Sequence, residues 1–157
     1  MNAAYNLARW LTRDGTDAED VVQEAYLRAF KFFGGFHGGD SRAWILKIVR
    51  NTCYSWLQKN RTHEIATEFD EEQHSIEGRD PEAVLIRNID TKMLNRLLDE
   101  LPVEFREIFI LRDLEGMSYK EISGIAELPL GTVMSRLARA RERLRSGLVA
   151  YSRGESL

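Results

Sequence analysis

The sequence predicts an all-α protein of two small helical domains joined by an acidic linker, with a helix-turn-helix in the second domain. Apolar residues recur at spacings of three and four through most of the chain, which is the helical period. Capping-box pairs mark helix starts at Thr16 and Ser118. Residues 61–100 carry five basic and eleven acidic side chains, against eight and six in residues 1–60 and nine and eight in residues 101–157. We therefore assign residues 1–62 and 81–150 to the domains and residues 63–80 to the linker.

The N-terminal domain is predicted to begin with a helix over residues 3–12. A second helix is expected to run from the Thr16–Glu19 capping box to Phe33. Its buried side is formed by Val21, Val22, Ala25, Ala29 and Phe32. Its opposite side carries two carboxylates, an amide and a leucine, at Asp20, Glu24, Gln23 and Leu27. A leucine exposed among such groups suits a protein–protein contact, and an ordinary solvated face is the alternative.

A third helix is expected from a cap at Asp40 or Ser41 to about Lys59. Its apolar side, predicted to pack in the core, consists of Trp44, Ile45, Ile48, Val49, Thr52 and Trp56. The other side mixes cations, amides and an aromatic ring, at Lys47, Arg50, Asn51, Tyr54 and Gln58. Single-stranded DNA requires this mixture, because charge meets the backbone, a ring stacks on a base and amides reach base edges. A solvated polar face is the alternative.

The C-terminal domain is expected to resume helix at Pro81 and to place Phe105, Ile108, Phe109 and Leu111 in its core. The stretch from Ser118 to Arg145 then reads as two helices with Pro129 as the first residue of the second. A buried stripe is predicted along that second helix from Leu130, Val133, Leu137, Ala140 and Leu144. Thr132, Ser135 and Arg139 point away from the stripe, with Arg136 and Arg143 beside them. Such a helix suits the major groove of DNA, and a solvated basic helix is the alternative.

The residues give little support to catalysis or to a membrane anchor. Cys53 is the only cysteine, so no intrachain disulfide or cysteine-based zinc cluster is available. We find no nucleophile–base set, no metal cluster and no phosphate-binding loop, and expect no catalytic residue and no cofactor. No apolar run approaches the ~20 residues that span a bilayer, and no signal peptide opens the chain. We therefore expect a protein that is not inserted in the membrane and that resides in the cytoplasm.

Three stretches of the sequence resemble conserved regions of bacterial sigma-70-family factors. L-R-D-L-E-G-M-S-Y-K-E-I-S followed by P-L-G-T-V-M-S-R-L-A-R-A-R-E-R-L is similar to the fourth conserved region, most closely in the extracytoplasmic-function (group 4) class. D-A-E-D-V-V-Q-E resembles the stretch that binds core polymerase, and R-A-W-I-L-K-I-V-R-N resembles the stretch that melts and reads the −10 element. Family members usually have more sequence before the first helix, which leaves open whether the N-terminal domain is complete.

The resemblance implies a sigma factor that binds core RNA polymerase and promoter DNA. It implies that Asp20, Gln23 and Glu24 meet the clamp helices of the largest core subunit, and that residues around Asn51 capture a flipped base. The helix after Pro129 would read the −35 element, and an anti-sigma factor is an expected partner. Relatives often carry Lys or Arg where this chain has Met134, so its −35 preference is expected to differ. A stand-alone helix-turn-helix regulator is the alternative.

Overall fold

Seven α-helices make up most of the computed structural model, which describes residues 2–35, 38–60 and 91–154. They are α1 (Ala3–Thr12), α2 (Gly15–Lys31), α3 (Ser41–Asn60), α4 (Thr91–Glu100), α5 (Val103–Phe109), α6 (Tyr119–Ala126) and α7 (Leu130–Ser152). The described ranges contain no β-strand, so the predicted all-α class is confirmed. The predicted linker and the predicted helix start at Pro81 lie outside the described residues.

The N-terminal unit consists of α1, α2 and α3, which pack on one another. Asn2 caps α1, because its side chain accepts a hydrogen bond from the Ala4 N–H at 2.9 Å. The predicted cap of α2 at Thr16 is wrong, since Asp14 accepts from the backbone N–H groups of Thr16 and Asp17 and the helix begins at Gly15. An aspartate in extended backbone two residues upstream therefore supplies the cap that the sequence assigned to Thr16.

The buried side of α2 matches the prediction except at its end. Val21, Val22, Ala25 and Ala29 are buried, but Phe32 is 59% exposed. The helix ends at Lys31 rather than at Phe33, so Phe32 leaves the apolar face.

The core face of α3 is rotated from the predicted one. Leu46, Val49, Cys53 and Leu57 are buried together with Thr52. Trp44 and Trp56, predicted to pack in the core, are half-buried at its edge. Trp44 contacts the Phe33 ring edge-to-face, with centroids 6.2 Å apart.

The C-terminal unit consists of α4 to α7, with α5 and α7 as its principal packed pair. Phe105, Ile108, Phe109 and Leu111 are all buried, as predicted. Met93, Leu97 and Leu98 bury one face of α4.

After α5 the backbone continues as a π-turn over Ile110–Leu114. In this turn the Glu115 N–H donates to the Ile110 carbonyl, five residues back, at 2.9 Å. Gly116 follows at a φ of 69°, which is the left-handed conformation that glycine adopts without strain.

The predicted helix-turn-helix is formed by α6 and α7. Its capping box is confirmed, because Ser118 Oγ accepts from the Glu121 N–H and the Glu121 carboxylate accepts from the Ser118 N–H. Pro129 is the N-cap of α7 rather than its first residue. The buried stripe of α7 is formed by Val133, Leu137, Ala140 and Leu144, whereas Leu130, also predicted to be buried, is 47% exposed in the first turn.

The two units pack directly on each other. Helix α1 contacts α5 and α3 contacts α6, so the buried apolar residues of both units form one continuous cluster. Arg106 lies at this boundary and is almost fully buried. Its guanidinium donates to the carbonyls of Leu98 and Leu101 in its own unit and to the carbonyl of Trp10 in α1. This association could not be predicted from the sequence, because the residues that form it are far apart along the chain.

Candidate nucleic-acid interface

The outer face of α7 has the composition predicted for a groove-reading helix. Thr132, Ser135, Arg136 and Arg139 are partly exposed, and Arg143 is exposed. At about 100° per residue, these five positions fall on one side of the helix, beside the buried stripe. Met134 is 41% exposed and lies on a different side of the helix, about 160° around the axis from the centre of these five positions.

The arginines of α7 do not all have the same environment. The Arg143 guanidinium lies over the Phe105 ring at 4.9 Å from the centroid, and Arg145 pairs with Glu142 on the surface. Arg141 is buried and makes a two-bonded ion pair with Asp113, with nitrogen–oxygen distances of 2.6 and 3.0 Å. Arg141 therefore fastens α7 to the π-turn, a role that the sequence interpretation missed although position 141 lies toward the apolar stripe.

The polar side of α3 faces the C-terminal unit instead of open solvent. Arg50 donates to both carboxylate oxygens of Glu107 in α5, at 2.8 and 3.2 Å, and the Glu107 side chain is fully buried. Lys47 pairs at 3.0 Å with Glu127, which ends α6 in the left-handed conformation. Asn51 accepts a hydrogen bond from Arg50, and Gln58 is exposed farther along the helix.

The Tyr54 ring is enclosed by the same contacts. The Arg50 guanidinium lies 3.9 Å from the ring centroid, and the phenol oxygen is buried. Burial, reinforced by the negative charge of Glu107, raises the pKa of Tyr54 well above its usual value. The structure thus brings Lys47, Arg50, Asn51 and Tyr54 together, as the sequence predicts, but with carboxylates of the C-terminal unit against them.

The surface of α2 that the sequence assigned to a protein contact is open. Asp20, Gln23, Glu24 and Leu27 are exposed, and Leu27 is 72% accessible. Large apolar residues that the sequence interpretation did not assign extend this surface, namely Tyr26, Phe30 and Phe33. The sequence contained a signal for Phe30, because it follows Leu27 by three residues and so lies on the same side of the helix. An apolar patch rimmed by carboxylates is typical of a protein–protein contact.

In the parts of the chain that the structure describes, no group of histidine, cysteine and carboxylate side chains could hold a metal ion. Nor does any helix there have the length and apolarity needed to cross a membrane.

Comparison with known protein families matches both units. Residues 1–63 match the description of sigma-70 region 2, and residues 91–144 match that of sigma-70 region 4. The chain is 34% identical over 149 residues to the ECF RNA polymerase sigma factor SigE of Mycolicibacterium smegmatis, a match that covers 94% of this chain and 58% of SigE. It is 32% identical to the RNA polymerase sigma-H factor of Pseudomonas aeruginosa, covering 86% of this chain and 75% of that protein.

Two solved structures have a similar fold. One is the sigma factor RpoE from Bartonella quintana in complex with the anti-sigma factor NepR, with a TM-score of 0.72 and 29% identity over 94% of this chain and 90% of RpoE. The other is CnrH in complex with the cytosolic domain of CnrY, with a TM-score of 0.66 and 26% identity over 94% and 81% of the two chains.

Proposed function

Because the chain belongs to the extracytoplasmic-function class of the sigma-70 family, whose members direct RNA polymerase to promoters, we propose that it binds core RNA polymerase and recognises −35 and −10 elements with separate helices. The observation that carries the proposal is that one chain has both an open apolar–acidic surface on α2 and an outer face of polar and arginine side chains on α7. We propose that residues 1–62 bind polymerase and the −10 element, residues 63–80 link the domains, and residues 81–150 bind the −35 element.

The −35 element would be read by the outer face of α7. Thr132 and Ser135, near the N-terminus of the helix, would reach base edges, while Arg136, Arg139 and Arg143 would contact guanines or phosphates. Arg139→Ala is expected to lower transcription by about tenfold, since one good base contact contributes about 1–3 kcal/mol.

The matched control is Arg145→Ala, because Arg145 pairs with Glu142 on another side of the helix. Run-off transcription on a promoter with every single −35 substitution provides the measurement. Unchanged output and unchanged −35 preference in Arg139→Ala would contradict this role.

The −10 element would be held by the polar side of α3, with Asn51 and Tyr54 at its centre and Lys47, Arg50 and Gln58 beside them. Unstacking a base costs a few kcal/mol, which is comparable to one good stacking or hydrogen-bonding contact. Asn51→Ala is therefore expected to impair promoter opening more than initial binding. Permanganate footprinting reports opening and gel shift reports binding, with exposed Asn95→Ala on α4 as the control. Equal losses in both assays would refute a role in melting.

Core polymerase would bind the surface of α2 formed by Asp20, Gln23, Glu24 and Leu27, with its clamp helices as the contact. Leu27→Ala is expected to weaken binding by about tenfold or more, because exposed apolar anchors at the centre of an interface contribute most of its affinity. Val149→Ala removes an exposed apolar side chain from α7, far from this surface in the sequence, and should leave binding unchanged. Pull-down of purified core polymerase gives the comparison, and equal binding by both variants would contradict the assignment.

An anti-sigma factor is a further proposed partner, supported by the two structural neighbours that were solved with NepR and CnrY. We further propose that the chain acts in the cytoplasm and performs no covalent chemistry.

The decisive experiment is run-off transcription with purified chain and bacterial core polymerase on sheared genomic DNA. New start sites that share −35 and −10 elements are expected. Sequence-specific DNA binding without core binding or new starts would instead favour a stand-alone regulator.

A further inference from the structure

We propose that a cleft between the end of α1 and the α4–α5 turn binds a small zwitterion of the α-amino-acid class. This boundary cleft has a volume of about 230 Å³ and is lined by Arg13 on the side of α1 and by residues 99–103 and Arg106 on the other side. None of these residues belongs to the surfaces assigned above to polymerase or DNA, so the inference goes beyond the proposed function. Sites for drug-sized ligands commonly measure about 300–1,000 Å³, so we expect a smaller occupant.

Both signs of charge occur in the lining of the boundary cleft. Asp99 and Glu100, at the end of α4, contribute two carboxylates, and Arg13 and Arg106 contribute two guanidinium groups. In so small a cleft, a ligand with a single charge would lie close to a like charge on one wall, which is unfavourable. A zwitterion offers an ammonium group to the carboxylates and a carboxylate to the guanidinium groups, so both of its charges are matched.

The rest of the lining is apolar and held in place by backbone hydrogen bonds. Leu101 and Val103 are buried, and Pro102 between them has its φ fixed by the ring. The Leu101 N–H donates to the Leu98 carbonyl at 3.1 Å, and the Pro102 carbonyl accepts from the Phe105 N–H at 3.0 Å. An apolar ligand side chain therefore has a preformed surface to pack on, which reduces the cost of ordering the site.

The charged walls differ in how firmly they are held. Arg106 is 3% exposed and donates to three backbone carbonyls, so its positive charge is fixed in position. The contact between Arg13 and Asp99 is looser, because Nε and Oδ1 are 3.7 Å apart, which is too long for a hydrogen bond.

This loose pair leaves room for a ligand to improve the contacts. Asp99 Oδ1 is buried, yet it accepts no hydrogen bond in the described part of the chain. Such an oxygen is unfavourable, so a small readjustment that brings a ligand ammonium group to Asp99 is stabilising. Arg13 has five N–H donors, so pairing with Asp99 is compatible with donation to a ligand carboxylate as well.

The boundary cleft is shared by the two units, since Arg13 belongs to the N-terminal unit and the other lining residues belong to the C-terminal unit. A ligand that contacts both walls binds the packed arrangement and not the unfolded chain. Its binding is therefore expected to raise the Tm of the whole chain as the site fills.

The test uses L-leucine as the probe and the full chain as the receptor. Isocaproate is leucine without its ammonium group, and isoamylamine is leucine without its carboxylate, so the two analogues test each charge separately. Calorimetric titration is expected to give a Kd of about 1 mM for L-leucine. At roughly ten times that concentration the Tm is expected to rise by about 3–6 °C. Each analogue should bind about tenfold more weakly or less, because it lacks one charge-assisted hydrogen bond.

Two variants test the two walls. Asp99→Asn removes a charge with little change of shape, and Asp20→Asn on the exposed side of α2 is the charge-matched control. Asp99→Asn is expected to weaken L-leucine binding about tenfold, while the control binds like the wild type. Arg13→Gln changes the opposite wall, and should weaken the binding of L-leucine but not that of isoamylamine. Circular dichroism and the Tm without ligand verify that each variant is folded.

Three results would overturn the proposal. They are no saturable binding of L-leucine up to about 50 mM, binding of either analogue as tight as that of L-leucine, and unchanged L-leucine binding in both Asp99→Asn and Arg13→Gln. None of these measurements involves polymerase or promoter DNA, so their outcome is independent of the proposed sigma activity.

Discussion

Replacing Arg141 by alanine is expected to unfold the C-terminal unit more readily than any change on the outer face of α7. The side chains of Arg141 and Asp113 are only 9% and 7% exposed, and their two bonds measure 2.6 and 3.0 Å. Removing one member of a buried ion pair costs about 3–5 kcal/mol, because the other charge is left without compensation. The slight exposure of both groups favours a value of about 3 kcal/mol. For a chain of this size that corresponds to a fall in Tm of roughly 6–12 °C.

Thermal and urea unfolding of Arg141→Ala measure this loss, with Arg145→Ala as the control. Arg145 pairs with exposed Glu142 on the same helix, and such surface pairs contribute little, so its loss should cost less than about 0.5 kcal/mol. An apolar replacement of both partners, Arg141→Met with Asp113→Leu, should recover most of the stability, since no buried charge then remains. A loss below about 1 kcal/mol in Arg141→Ala would refute the structural role given to this arginine.

Two further predictions concern packing. Gly147→Ala should destabilise the chain by about 1–3 kcal/mol, because the added methyl group would collide with the Leu97 side chain. In Gly131→Ala the added methyl group meets no atom within 4 Å, so this variant should be neutral or stabilised by up to about 1 kcal/mol. Urea unfolding compares the two, and similar stabilities would contradict the packing described. Cys53 should react slowly with iodoacetamide in the native chain, because burial raises the pKa of its thiol, and rapidly in urea. Mass spectrometry follows the labelling of Cys53. Labelling as fast in the native chain as in urea would contradict the burial of this thiol.

Local features of the fold were predictable from the sequence, and long-range polar contacts were not. The capping box at Ser118 and the stripe of α7 from Val133 to Leu144 depend on residues three or four positions apart, so their chemistry is visible in the sequence. The prediction that Leu130 is buried was wrong, because Leu130 lies in the first turn of α7, before the stripe meets its packing partners.

In the candidate sites, too, the local features were predictable from the sequence and the long-range contacts were not. Helical phase alone separates the outer face of α7 from its core, and it also separates the polar and buried sides of α2. Arg50 and Tyr54 were both predicted on the polar side of α3, but Glu107 lies 57 positions away from Arg50, and no helical period connects the two. The sequence therefore identified the groups that could bind DNA and could not indicate that another part of the chain holds them.

The π-turn at Ile110–Leu114 sets the rotational register of α7 through the Asp113–Arg141 ion pair. A π-turn contains one residue more than the α-helical turn it replaces. Deleting one residue ahead of Asp113 would restore ordinary α-helix and swing its carboxylate by about 100° around the helix axis, away from Arg141. With that partner displaced, α7 would be free to settle at a different angle about its own axis. A single additional peptide in the scaffold thus determines which side chains of α7 face outward.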